Sequence, residues 1–200
     1  MSLQSKVTFW CGKRETSDSG LVRQGLCNRH SVTPRLGRQV KPWCPPPAGW
    51  LKVNIDGAFD QGTRRGGLGI VVRDTDSMVV AGACGQWSDV LQPIVVEALA
   101  SRLACKLVED NSLAPVIFES DCLQLVQAIQ TDGDDTSQLG RIIDDISLSI
   151  SSLAGSFFSH VYRESNMLAH KLAKFALASG LQVSWSGHVP PELSNFFCNN

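Results

Sequence analysis

Hydrophobic and polar residues first fall into a regular pattern about fifty residues into this chain. Leu51, Val53 and Ile55 alternate with Lys52, Asn54 and Asp56, a period of two that predicts a strand. Residues 61–67, rich in Gly and Arg, read as a turn, and Leu68 to Arg73 as a second strand. The cluster Asp74-Thr75-Asp76-Ser77 predicts a hairpin turn into a third strand, Met78 to Cys84. From Pro93 the period changes: Val95, Val96, Leu99, Leu103 and Leu107 form one apolar stripe of a helix that the proline opens. Pro115-Val116-Ile117-Phe118 is short and wholly apolar, which suits a buried central strand. Leu123, Val126 and Ile129 mark a second helix ending near Gly133, and Leu139, Ile142, Ile143 and Ile146 a third. Phe157 to Tyr162 is a last strand, and Asn166 stands where it would cap a final helix carrying Leu168, Ala169, Leu172, Ala173 and Ala176.

Three strands, helix, strand, two helices, strand and helix predict an α/β fold. Its mixed five-stranded sheet has three antiparallel strands, then parallel strands, and is flanked by helices. Residues 1–41 show no such pattern, because Gly12, Gly20, Gly25, Pro34 and Gly37 interrupt every short apolar run. Pro42 and Pro45-Pro46-Pro47 read as a stiff extended linker ending at Gly49-Trp50. The organisation expected is a poorly ordered basic extension and Pro-rich linker over 1–49, a domain over 50–180 and a C-terminal tail over 181–200.

Composition narrows the class without naming a function. With 43% hydrophobic and 18% charged residues among 200, the chain has the make-up of a globular protein with a real core. No run of eighteen apolar residues exists to predict a membrane span, and Met1 to Trp10 lacks the apolar segment of a secretory signal. The seven cysteines form no C-x-x-C pair, so reduced thiols in an intracellular setting are expected. A monomer is expected as well. Among Cys11, Cys27, His30 and Cys44, only Cys27-x-x-His30 has a tight zinc-ligand spacing, which makes a poor case for zinc.

Charge separates the two parts. Residues 1–41 carry eight basic side chains against Glu15 and Asp18, net +6, and residues 42–200 carry ten basic against seventeen acidic, net −7. The basic segment suits phosphate contacts or, with its Arg, its Ser and few acids, an organelle address. The acidic domain by itself disfavours tight nucleic-acid binding.

Three acids stand where apolar residues belong. Asp56 ends the first strand, Glu97 interrupts Val95-Val96-Glu97-Ala98-Leu99, and Asp121 follows the buried strand. Singly, each has an ordinary explanation: a turn at Asp56-Gly57, the polar edge of a helix at Glu97, a helix cap at Asp121. Together, on elements expected to adjoin in one sheet, they would repel one another, and a divalent cation removes that repulsion. Oxygen-only ligands favour Mg²⁺ or Mn²⁺.

Val53-Asn54-Ile55-Asp56-Gly57-Ala58-Phe59 followed by Gly66-Gly67-Leu68-Gly69-Ile70-Val71-Val72-Arg73-Asp74 resembles the opening of type 1 ribonuclease H domains. The nearest likeness is to the plant group related to retroelement reverse transcriptases. Val96-Glu97-Ala98-Leu99-Ala100, Glu119-Ser120-Asp121-Cys122 and the segment from His160 to Ala173 continue the resemblance over about residues 50–180.

The resemblance implies a ribonuclease H-like fold and cleavage of the RNA strand of RNA–DNA hybrids, leaving a 5′ phosphate. It implies Asp56, Glu97 and Asp121 as metal-binding carboxylates in a two-ion hydrolysis with Mg²⁺ or Mn²⁺, one ion serving the attacking water and the other the leaving 3′ oxygen. The 2′-hydroxyl would distinguish RNA from DNA. His170 occupies the family's fourth acidic position, so it is expected as the fourth catalytic and metal residue, with one ion site weakened and Mn²⁺ preferred. The other reading of His170 is a polar helix edge beside Lys171 and Lys174. Arg64 and Arg65 in the first turn are expected phosphate contacts. Val161 to Asn166 is too short for the histidine loop of longer members, which leaves Arg163 for product handling, and His160 reads as structural. The alternative function is a nucleic-acid-binding or protein-interaction module of retroelement descent that cleaves little.

Overall fold

The computed structural model describes residues 42–131 and 135–198. The basic segment, with Cys11, Cys27 and His30 and the roles expected for it, lies outside the described residues.

Two long hairpins build the sheet's centre. β1 (Leu51–Asp60) pairs antiparallel with β2 (Arg65–Arg73), which pairs antiparallel with β3 (Val79–Trp87). After α1 (Pro93–Asp110), β4 (Val116–Ser120) lies parallel to β1 on its other side. Next come α2 (Leu123–Gln130) and α3 (Gln138–Ser152); the Ser137 hydroxyl caps α3 by accepting from the Gly140 N–H at 3.1 Å. β5 (Phe157–His160) lies parallel to β4, and α4 (Met167–Ser179) closes on Gly180 in the left-handed region at φ 70°.

The fold is the expected α/β arrangement, with one correction. Among the described residues the sheet has six strands, ordered β5-β4-β1-β2-β3-β6, rather than five. The sixth, β6 (Val183–Ser186), pairs antiparallel with β3, and α5 (Pro191–Cys198) follows it. Both come from the stretch expected as a tail. Four residues are too few for alternation to register, and Trp185 is buried by distant partners, over Gly82 and against Phe197.

The turn expected over 61–67 is also shorter, because Gly66 and Gly67 are strand residues paired with Phe59 and Ala58. Glycine there signals close approach rather than a bend. A Cβ on Gly66 would stand 2.8 Å from both Val96 methyls, and one on Gly67 would stand 2.7 Å from the Leu177 Cβ.

Alternation along the strands sorts side chains onto two faces. Val53, Ile55, Leu68, Ile70 and Val72 pack with Val96, Leu99, Phe118 and Ile146 under α1, α2 and α3. The opposite face carries Val71, Cys84 and Trp185 against Leu172, Ala176 and Leu193 of α4 and α5. The same face over β1 and β4 is polar yet buried: Lys52 Nζ pairs with Glu119 Oε1 at 2.8 Å, and Asn54 donates to Glu119 Oε2 at 2.8 Å. Arg73 Nη2 donates to Asn54 Oδ1 at 2.6 Å, and its guanidinium lies 3.5 Å from the Trp43 ring centroid. Thus part of the segment expected as a linker is packed on the sheet: Lys52 Nζ also donates to the Cys44 carbonyl at 2.9 Å, and Pro46 is buried. No helix among the described residues is long and apolar enough to cross a membrane.

At Gly69 the backbone of α4 presses directly on β2. A Cβ there would meet the Ala169 carbonyl oxygen at 2.4 Å and the Ala173 nitrogen at 2.5 Å, both backbone atoms that move only with the helix. Gly69→Ala is expected to cost about 1–3 kcal/mol, read as a lower midpoint in urea. Gly85→Ala, whose Cβ would make ordinary contact with Gln182 at 3.5 Å, is the control and should leave the midpoint nearly unchanged.

Candidate active site

The site forms where β1 outruns its parallel neighbour. Pairing between β1 and β4 ends at Ile55 and Ser120, so the chain diverges at Asp121 and the β1 edge beyond Ile55 is left open. A strand with an antiparallel neighbour on one side and a parallel one ending on the other makes a crevice at the carboxyl end of the parallel strand. Glu97 of α1 enters it: its Oε2 accepts from the Gly57 N–H at 3.0 Å. Only glycine permits this, since a Cβ at 57 would stand 2.8 Å from the Glu97 nitrogen and 2.9 Å from the Val96 carbonyl carbon.

Asp56, Glu97 and Asp121 each bring one oxygen to within 4.8 Å of the others, so the structure assembles the three acids expected from the sequence. Asp56 is buried and its Oδ1 has no hydrogen-bond partner. Burial, followed by the neighbouring Asp121 charge, pushes the Asp56 carboxyl up from 3.8 to about 8. Burial and the charges of Asp56 and Asp121 likewise raise Glu97 well above the usual carboxylate range, against the lowering effect of the Gly57 N–H. An orphaned buried oxygen among mutually repelling carboxylates fits a divalent cation, and the all-oxygen donor set matches a hard ion such as Mg²⁺ or Mn²⁺. The residues present therefore fit the expected metal.

His170 and Arg163 stand beside the three acids. His170 Nδ1 lies 3.1 Å from Asp56 Oδ2. Arg163 is in a 3₁₀ turn, Arg163–Ser165, just before α4, and its Nη1 donates to Asp121 Oδ2 at 3.1 Å. Its Nη2 sits 2.9 Å from Nδ1 and 2.7 Å from Nε2 of His170. Burial, then the Arg163 and Lys174 charges, lowers the His170 pKa and favours the neutral ring. His160 makes an edge contact with the Tyr162 ring at 6.0 Å.

Arg64 and Arg65 are not part of this cluster. Arg64 lies in the β1–β2 turn with φ 54°, its carbonyl accepting from the Val90 N–H at 3.0 Å. Arg65 is exposed and pairs with Asp60, four residues beyond Asp56, which at the usual rise per residue is about 13 Å along the strand.

Sequence reasoning missed what Asn166 does. It occupies the N-cap position of α4, yet its side chain makes no cap bond. Instead the buried amide donates to the Ile55 carbonyl at 2.7 Å and to Asp121 Oδ1 at 3.3 Å, tying the start of α4 to β1 and to one of the acids. The sequence holds no sign of this, because an N-cap asparagine and a strand-bridging one look alike. The buried Lys52–Glu119–Asn54–Arg73 network was missed as well. Its signal is positional: Asn54 and Glu119 each stand two residues before a site acid, on the same side of their strands.

Strand order and helix placement together define an α/β ribonuclease H-like fold. The structure resembles RNase H1 from the halophilic archaeon Halobacterium salinarum NRC-1, at 20% identity and TM-score 0.59, covering 65% of this chain and 98% of that one. It resembles the N-terminal RNase H domain of a Mycobacterium tuberculosis protein at 16% identity and TM-score 0.59, covering 66% and 95%. A third likeness is to LC11-RNase H1, isolated from compost, in complex with an RNA/DNA hybrid: 18% identity, TM-score 0.56, covering 64% and 96%. No curated protein sequence matches the chain. The family model described as reverse transcriptase-like matches residues 54–187, and the chain belongs to that family.

The raised carboxyls set a pH dependence. Between 3.8 and about 8, folded Asp56 keeps a proton that the unfolded chain has already released, so stability falls as pH rises through that window. In the metal-free protein the melting temperature should be higher near pH 5 than near pH 8. Asp56→Asn should flatten the decline and hold or raise the melting temperature near pH 8. A variant that melts well below the parent at both pH values would make Asp56 a structural residue.

Proposed function

We propose that this protein is a divalent-metal-dependent endoribonuclease that cleaves the RNA strand of RNA–DNA hybrids. The observation that carries the reading is the convergence of Asp56, Glu97 and Asp121, from three different elements, around a buried oxygen with no partner. Membership in the reverse transcriptase-like family supports it, as does the shared fold with RNase H1 proteins, one of them solved with an RNA/DNA hybrid. The motif wording favours the plant retroelement-related group. We take the setting as intracellular, in keeping with Cys44, Cys84, Cys105, Cys122 and Cys198 as free thiols, and the protein as a monomer.

In this reading Asp56, Glu97 and Asp121 hold Mg²⁺ or Mn²⁺. The bound metal supplies Lewis-acid activation of water and neutralises charge at the scissile phosphate. The chain's own contribution is placement. Gly57 N–H fixes the Glu97 carboxylate, Asn166 and Arg163 fix Asp121, and His170 fixes Asp56. Arg163, more than half exposed at 54%, can also reach a phosphate oxygen while it holds Asp121. Arg64 and Arg65 would contact the backbone of the duplex further along, and a 2′-hydroxyl beside the crevice would mark the strand to be cut.

The test is cleavage of a labelled RNA–DNA hybrid in Mg²⁺ and in Mn²⁺, beside duplex RNA and duplex DNA. Metal-dependent cutting of the hybrid alone is expected, and Asp56→Asn should lower its rate by at least 10²-fold with the fold intact. Binding of the hybrid in a gel shift without any cleavage would leave a nucleic-acid-binding module, and neither signal would leave a protein-interaction domain.

The acidic balance of residues 42–200 makes the basic N-terminal segment the source of phosphate affinity in this reading. Deleting residues 1–41 is expected to weaken hybrid binding and flatten its dependence on salt. Equal affinity and slope in the two chains would show that the segment takes no part.

A further inference from the structure

We propose that the cavity between α1 and the β3–β6 side of the sheet is a nucleotide-binding site, with Trp87 taking the base and Arg102 and Lys106 the phosphate. The cavity lies outside the acidic crevice, and the inference stands apart from the nuclease reading.

The hollow exists because β6 widens the sheet beyond the helix that covers it. α1 lies over β1 and β2 and reaches only the margin of β3. The α1 face of β3 and β6 is left open as a cavity of about 600 Å³, a size in the range of small-molecule sites. Ala83 and Gly85 of β3 line it with one methyl group and no side chain. One wall is Leu99, Arg102, Leu103 and Lys106, spaced three and four apart on a single face of α1. The other holds Gln182 and Ser184, both exposed; a Cβ at Gly85 would stand 3.5 Å from the Gln182 Cγ. Trp87 ends β3 directly opposite Gly66, whose missing Cβ would meet Val96 of α1, so Trp87 shares the α1 face. It lines the cavity and is 47% exposed.

Three kinds of group therefore meet in one hollow. An exposed indole is a stacking surface that accepts any base. Gln182 offers a donor and an acceptor to a base edge, and Ser184 a hydroxyl. Arg102 Nη1 bonds Asp145 Oδ2 at 3.2 Å, and Lys106 Nζ bonds Asp110 Oδ2 at 3.0 Å. Both pairs are exposed and contribute little, so a phosphate with its greater charge displaces the carboxylates.

Charge selects among occupants. The lining carries two cations against one acid, Asp145, in a domain whose residues 42–200 are net −7. That local excess favours an anion and disfavours the basic N-terminal segment, net +6. The apolar surface of Leu99, Leu103 and the indole calls for more than bare phosphate. A nucleotide supplies both, either free or as the terminal nucleotide of a strand. The cavity is separate from the crevice, since Lys106 follows Glu97 by nine residues, about 13 Å along α1 at the usual rise.

The test is calorimetric titration of the full chain in EDTA with 5′-AMP, adenosine, inorganic phosphate and a 5′-phosphorylated single strand. Saturable binding of 5′-AMP is expected, with adenosine and phosphate each weaker. Trp87→Ala should weaken 5′-AMP about tenfold. Arg102→Ala/Lys106→Ala should bring 5′-AMP down to the affinity of adenosine and leave adenosine unchanged. Equal affinity for 5′-AMP and the strand assigns the cavity to free nucleotides. Tighter binding of the strand, with the same dependence on Trp87, assigns it to a strand terminus. No saturable binding of either at millimolar concentration overturns the proposal. Binding that both variants leave unchanged overturns it too, by placing the ligand elsewhere. A dimer of the chain that Trp87→Ala dissolves would overturn it by showing that a second copy fills the cavity. If circular dichroism shows Trp87→Ala unfolded, the Arg102→Ala/Lys106→Ala variant decides.

Discussion

The close approach of two helices to opposite faces of the first hairpin governs everything else in this molecule. On one side α1 lies so near β1 that a Cβ at Gly57 would stand 2.8 Å from its backbone; on the other, α4 crosses β2 at Gly69 at 2.4 Å. Larger residues would hold the helices off the sheet, since side chains at such contacts set the packing distance. Glu97 rides on α1 and His170 on α4, so these two contacts decide whether either side chain reaches Asp56. The geometry of the acidic cluster is thus a consequence of missing side chains in the strands.

The sheet works against a cost to keep the site. Three carboxylates near one another, one fully buried, are held together by secondary structure that has no other reason to converge there. The surrounding cations offset part of this: Arg163 lies on Asp121, and Lys52, with Arg73 near by, neutralises Glu119 two residues away along the chain. A bound cation would relieve this repulsion, and the unsatisfied Asp56 oxygen marks where it would act. Arg163 and the buried network therefore act in different places: the first on the three acids, the second on the register of β1 against β4 behind them.

Much of the fold was legible because period and punctuation agree with it. The alternation at Leu51–Asp56, the apolar run before Glu119 and the helical stripe after Pro93 are local signals, and each element formed where those signals stand. The three acids were legible for the same reason, as polar residues breaking apolar patterns. What stayed hidden was nonlocal. Gly66 and Gly67 looked like a turn because glycine in sequence means freedom, while in the sheet it means proximity. β6 was lost because four residues with one buried tryptophan show no period.

The sequence by itself determined the order of strands and helices from β1 to α4, the opposing charge of the two segments and the identity of the acids that could meet. These depend on neighbours a few positions apart, where backbone geometry alone links residue type to structure. Only the tertiary structure decided that Lys52, Asn54 and Asp56 are buried rather than solvent-facing, that Asn166 bridges β1 to Asp121 instead of capping its helix, and that Arg163 reaches His170. Each of those outcomes depends on what lies across a gap of seven to more than a hundred residues, and on which polar groups compete there for the same partner. Spacing along the chain carries no record of that competition.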